Sequence, residues 1–327
     1  MVVASVPASS AGLRIFSKLV SLSVLVLIFV GALVTSYQAG LSVPDWPTTY
    51  GDNMFLFPYH KWIGGIFWEH SHRLIASFVG LLTVVLFVWT LLRDKRRWMK
   101  VLTGCALLAV IVQGILGGLT VLYLLPAWLS TSHAVLAQTF LGLTVIIAYA
   151  HGNEKFQNPC STAQSLFKLS VIGVGVVYAQ LFIGAYMRHT YSGLAIPDFP
   201  TMGGFWIPRF DAVALTAVNE QLAELGQWTV SREQMIIHFL HRLGGVVVAV
   251  FFFYLVARLL RTSDLPRPLK SHAKLLLGMV VLQFVLGVLA VLTVKEPVLT
   301  SVHVVLGALF LAFAVLLAAR LFSLRDV

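Results

Sequence analysis

Gly40-Leu-Ser-Val-Pro-Asp-Trp-Pro-Thr48 returns 153 residues later as Gly193-Leu-Ala-Ile-Pro-Asp-Phe-Pro-Thr201, identical at six of nine positions and conservative at the rest. Such a return marks an internal duplication, and following it outward shows the size of the unit. Downstream, His72-Arg-Leu is matched by His241-Arg-Leu, Gln113 and Gly117 by Gln283 and Gly287, and Ser132-His-Ala-Val by Val302-His-Val-Val, always in the same order. The offset grows to 169 between His72 and His241, which places an insertion of about 16 residues near 204–237.

The unit is a membrane unit. Hydrophobic residues make up 58% of the chain and charged residues 11%, with a mean hydropathy of +0.88, far from the balance of a soluble domain. Eight apolar runs, near residues 15–37, 70–92, 101–124, 130–151, 165–187, 236–260, 275–294 and 299–320, are long enough to cross a hydrocarbon core as helices. The first is too long for a removable signal peptide and lacks a small-residue cleavage site, so it reads as a retained span. Each unit contributes four spans, so the second half enters the membrane with the orientation of the first, a parallel repeat rather than an inverted one. The expected fold is therefore all-α: a polytopic membrane protein of eight transmembrane helices arranged as two parallel-repeat four-helix bundles, residues 1–160 and 161–327.

The net charge of +10 excludes less than its distribution does. With an inside amino terminus, 16 of the 23 Lys and Arg fall on one face, including Arg14, Lys18, the 93–100 cluster, Lys155, Lys168, the 258–274 cluster, Arg320 and Arg325. Five fall on the other: Lys61, Arg188, Arg209, Arg232 and Lys295. That asymmetry is the positive-inside pattern of a plasma-membrane protein with both termini cytoplasmic, and it leaves no basic patch to bind nucleic acid. The two cysteines, Cys105 in a span and Cys160 in an inner loop, predict no disulfide in a reducing compartment.

Five of the ten histidines lie at or near the outer ends of spans: His72, His133, His238, His241 and His303. His72 and His133 are 61 residues apart and His241 and His303 are 62 apart, so each half repeats a histidine at the start of its second and fourth spans. Two neutral imidazoles facing each other from neighbouring helices suit axial ligation of heme iron, because a bundle core sandwiches a flat macrocycle. A lone histidine in a span is often a hydrogen-bonded packing residue; four at duplicated positions argue for ligation. Zinc is the weaker alternative, with no cysteine cluster and only two histidines per pair. His60, His70, His151, His189 and His272 lack the duplication and receive no ligand role.

Glu69 carries the chemistry, because it precedes His72 by three positions on nearly the same helical face while its counterpart is His238. A salt bridge to Arg73 is the structural alternative. Arg73 and Arg242 could pair with heme propionates or snorkel to the interface. The Pro-Asp-(Trp/Phe)-Pro turns at 44–47 and 197–200 are stiff and aromatic and would shape a mouth above each site. Gly117, Gly118 and Gly287 read as close helix packing.

The Glu69-His-Ser-His-Arg73 motif, with His133, His241 and His303 in a duplicated eight-span frame, resembles the heme A synthase family of respiratory-oxidase assembly, from about residue 15 to 320. The resemblance implies oxidation of a methyl group of heme O to a formyl group, through an alcohol, to give heme A for terminal oxidases. It further implies a resident heme b on His241 and His303, a substrate porphyrin flanked by His72 and His133, and Glu69 as the essential acid. A heme O synthase and an electron acceptor are the partners implied, and a homo-oligomer is compatible with the sequence. Many bacterial members carry cysteine pairs in outer loops, and this chain has none there. The competing readings are a non-catalytic di-heme b electron carrier, which predicts equivalent pockets, and a transporter with histidine proton relays.

Overall fold

The computed structural model describes residues 10–154, 156 and 159–325; Lys155 lies outside them. Among the described residues nine α-helices follow in order: α1 (Ala11–Ser36), α2 (Gly65–Arg93), α3 (Arg97–Leu122), α4 (Ala127–Ala150), α5 (Ala163–His189), α6 (Ala212–Glu224), α7 (Arg232–Arg261), α8 (Arg267–Leu292) and α9 (Pro297–Arg325). All but α6 are 24–30 residues long and apolar enough to span a bilayer. No strand forms among the described residues beyond two isolated bridges in turns, Thr49 with Asp52 and Met202 with Phe205.

Local chemistry sets the helix ends. Ser10 Oγ accepts from the Leu13 N–H at 3.3 Å and opens α1. Ser231 and Gln234 form a reciprocal capping box at the start of α7. The second span begins at Gly65, earlier than its apolar run, because Gly64 turns the chain at φ +55° and the polar Glu69 and His70 are themselves buried. Outward-facing side chains such as Ile15, Leu22, Phe78 and Leu81 are apolar and exposed, the composition of a lipid-facing surface.

Helices α1 to α4 contact one another in sequence, and α1 also meets α4; α5, α7, α8 and α9 repeat that pattern. The two groups meet along a seam made by α1, α4, α5 and α9. One apolar core includes Val20, Val79, Met99 and Phe140 together with Ala308 and Ala312 of α9, and the other includes Leu166, Phe252, Leu276 and Leu317. The Arg188 guanidinium crosses the seam, donating to the Ala32 carbonyl at 2.6 Å and to Ser36 Oγ at 2.8 Å, and Ser36 meets Ser301 at 2.9 Å. At the opposite ends of the helices Arg320 pairs with Glu154 and reaches His272 Nδ1 at 3.1 Å.

The insertion near 204–237 is not a plain loop. It folds as α6, whose Val218 and Leu222 pack on Leu194, Ile196 and Met235. Asp211 caps this helix by accepting from the Ala214 N–H at 2.9 Å. Cys105 is exposed, Cys160 is buried, and both are free.

Candidate functional site

Each Pro-Asp turn is folded by its own aspartate. Asp45 accepts from the N–H groups of Tyr50 (2.8 Å) and Gly51 (2.9 Å) and from the Thr48 hydroxyl. Asp198 accepts from Gly203 (2.7 Å), Gly204 (2.9 Å) and the Thr201 hydroxyl (2.5 Å). Burial alone would raise both carboxyls, but these donors outweigh it and hold them below the usual carboxylate range. Trp46-Pro47 and Phe199-Pro200 are both cis.

An arginine staples each turn to the helix below. Arg73 donates to the carbonyls of Val43 (2.8 Å), Asp45 (2.7 Å) and Thr48 (3.0 Å). Arg242 donates to Ile196 (2.7 Å), Asp198 (2.8 Å) and Thr201 (3.2 Å). Irregular backbone at the edge of a bilayer needs such donors, and both guanidinium groups turn onto the loops.

Glu69 and His238 occupy equivalent places. Glu69 Oε2 accepts from the Val43 N–H at 2.8 Å and Oε1 accepts from Arg73 at 2.8 Å. His238 Nδ1 lies 3.1 Å from the Ile196 nitrogen and its Nε2 3.2 Å from Arg242 Nε, and a neutral ring accepts at one of the two. The salt bridge to Arg73 therefore forms, with Glu69 only 3% exposed. The scaffold is shared, and what differs is charge.

His72 stands on α2 and His133 on α4, His241 on α7 and His303 on α9. Every one of the four rings is backed by a glycine on a neighbouring helix. A Cβ at Gly31, Gly117, Gly184 or Gly287 would lie 2.9, 3.1, 2.9 or 3.2 Å from Cε1 of His72, His133, His241 or His303 respectively. Two of those glycines, Gly31 and Gly184, escape the reading of the sequence, yet the 153-residue offset pairs them as it pairs Gly40 with Gly193. Gln113 donates to the His133 carbonyl at 2.9 Å, Gln283 to that of His303 at 3.1 Å, and Gln180 to that of His241 at 2.9 Å.

This arrangement fits heme. Small residues make room beside each ring, and the Nδ1 atoms of His72, His133 and His303 are buried without a hydrogen-bond partner, a polar cost that a ligand-holding ring accounts for. Among the described residues no three His, Cys, Asp or Glu side chains converge as a metal-ion site. Of the remaining histidines, His70 is buried 3.2 Å from the Thr49 hydroxyl and edge-on to Trp62, which makes it part of the turn scaffold.

A helical membrane protein with eight spanning segments and a half-buried, glycine-backed histidine pair in each half is the class these features define. The chain matches the model of the COX15-CtaA family, described as cytochrome oxidase assembly protein, over residues 14–315, and it belongs to that family. It is 27% identical to the heme A synthase of Halalkalibacterium halodurans over 94% of this chain and 97% of the relative. It is 28% identical to the heme A synthase of Alkalihalophilus pseudofirmus over 92% and 95% of the two chains, and 28% identical to that of Shewanella oneidensis over 81% and 83%.

Proposed function

We propose that this chain is a heme A synthase, a membrane oxidoreductase that converts a methyl group of heme O to a formyl group by way of an alcohol, supplying heme A to terminal oxidases. Family membership and the names of its relatives support the class. The observation that carries the assignment of the two halves is the exchange of Glu69 for His238 on one scaffold. A protein that only relays electrons between two hemes has no use for that difference.

Residues 1–160 form the substrate half, where His72 and His133 flank heme O and ligate its iron. Residues 161–327 form the helper half, where His241 and His303 would hold a resident heme b. Bound heme supplies the redox-active iron. The protein supplies neutral imidazoles in an apolar bundle, glycines that let the rings sit close to adjacent helices, and turns pinned over both mouths. Glu69 puts a carboxylate on the face of α2 that carries His72, where it can take up or pass a proton as the substrate carbon is oxidised, or offset positive charge there. The chain resides in the plasma membrane with both termini cytoplasmic, receives heme O from a heme O synthase, and hands electrons to an acceptor; a homo-oligomer is compatible with this arrangement.

The test is pigment extraction from protein purified after co-expression with a heme O synthase, followed by chromatography of hemes B, O and A. Heme B together with a farnesylated heme is the expected result. Colourless protein, or heme B alone at two per chain, would reject the reading.

A further inference from the structure

Three of the four paired histidines are gripped by a glutamine from an adjacent helix, and the fourth is not. Gln113 and Gln283 each donate to their histidine's carbonyl and lie 3.4 Å from its Nε2. Gln180 Nε2 donates to the His241 carbonyl at 2.9 Å and lies 3.1 Å from its Nδ1, so the amide holds the backbone of His241 and packs against its ring. The offset of 153 that pairs Gly31 with Gly184 places Leu27 at the position of Gln180.

The exchange is not confined to one residue. A Cβ on Gly244 would fall 2.1 Å from Gln180 Oε1, so the amide sits in space that only a glycine leaves open. The 169-residue offset pairs Gly244 with Ile75. Glutamine with glycine in the second half is thus leucine with isoleucine in the first, and both Leu27 and Ile75 pack on the first-half apolar core. His72 Nδ1 is buried with no partner.

We infer that this amide clamp decides which porphyrin site keeps its ligand: Gln180 is a positioning residue that fixes His241 in the retaining half, and its replacement by Leu27 and Ile75 leaves His72 unclamped in the exchanging half. The inference rests on the proposed ligation of heme by both histidine pairs. An enzyme whose substrate and product are both hemes must release one porphyrin per turnover while keeping another. Partners that orient a ligating histidine are commonly worth 10–100-fold in affinity, enough to separate a resident group from a passing one.

The experiment uses the full-length holoprotein and transfer of heme to a scavenging apo-globin, followed in the Soret band. Q180L should lose its heme 10–100-fold faster than the parent. It should also shift the electron paramagnetic resonance g values of the ferric heme that remains, because these report the relative orientation of the two imidazole planes and do not respond to a generally looser fold. The graft L27Q/I75G should raise retained heme from one toward two per chain. Parental release rates and g values in Q180L overturn the inference, as does a folded graft that still retains one heme; should the graft not fold, Q180L decides alone. His241→Ala separates the two levels. Unchanged heme content in that variant rejects ligation itself, whereas lost heme there with parental behaviour in Q180L rejects only the clamp.

Discussion

Replacing Gly118 by valine tests how the first Pro-Asp turn is seated. Gly118 is buried on α3, and a Cβ built there would lie 2.4, 2.5 and 2.7 Å from Cδ2, Cε2 and Cε3 of Trp46, where ordinary contact begins near 3.4 Å. Three ring atoms overlap at once, so no small torsion relieves the clash and the indole must move by about 1 Å. Overpacking of this kind costs about 1–3 kcal/mol; Trp46 is 38% exposed and yields partly toward solvent, which favours the lower half of that range. The second half shows the compensation: the residues matching Trp46 and Gly118 are Phe199 and Val288. W46F/G118V should therefore recover most of the loss, with a coupling of about 1 kcal/mol between the two sites. Thermal unfolding in detergent at one scan rate reads this as a Tm lowered by roughly 2–6 °C in G118V and largely restored in the double variant. A G118V protein as stable as the parent, or a double variant no better than the two losses added, would refute the argument.

Three further outcomes follow from the geometry. Glu69→His should fold normally, because His238 does the same work opposite Arg242, while heme O conversion in cells falls at least about 10²-fold; retained heme A production would remove the carboxylate from the mechanism. His241→Ala or His303→Ala should empty the second half of heme b while His72→Ala does not, measured as heme per chain, and equal losses in all three would contradict the division of labour. His151 caps α4, fully buried beside Asp94 at 3.6 Å, and burial, opposed by Asp94, lowers its pKa from 6.5 to about 4. The unfolded chain then takes up the proton first, so this residue's contribution to stability falls as pH drops from 6.5 to about 4, by up to about 3 kcal/mol, and is flat above 6.5. Subtracting the pH profile of a His151→Leu variant from that of the parent should isolate that slope, and parallel profiles would show that His151 does not titrate there.

Duplication is what made the ligand candidates legible. A single histidine in a span reads as packing, but His72, His133, His241 and His303 recur with their neighbours in order, and all four come out backed by glycine. The glycines and Gln180 were harder to see because inside an apolar helix they look like packing residues, and only the surrounding geometry shows what they pack against. Helix α6 was hidden for another reason: it is short, lies outside the spanning segments, and is stabilised by Val218 and Leu222 resting on the 194–196 turn rather than by any strong apolar run of its own. The loop contacts of the arginines were not legible locally. Arg73 and Arg242 follow their histidines in sequence, yet their donors go to loop carbonyls 25–46 residues away, where exposed backbone at the bundle mouth has the larger need.

The shared scaffold also narrows what Glu69 is for. His238 stands against the same backbone N–H and the same arginine as Glu69 but, as a neutral ring, accepts from only one of them, and the second turn is still pinned by its arginine. A carboxylate is therefore not required to hold the turn. Nor is it required to balance the arginine, since Arg242 keeps its place against a neutral ring and three carbonyls. Three carbonyls and the charge of the nearby Asp198 carboxylate hold a guanidinium there with no acid at position 238, so the fold does not require one at position 69. The Glu69 carboxylate, paired with Arg73, stands three residues from His72, the one paired histidine without a glutamine on its carbonyl. Surplus charge beside the unclamped ligand is what a site that transforms and releases its porphyrin needs, and what a site that only stores one does without.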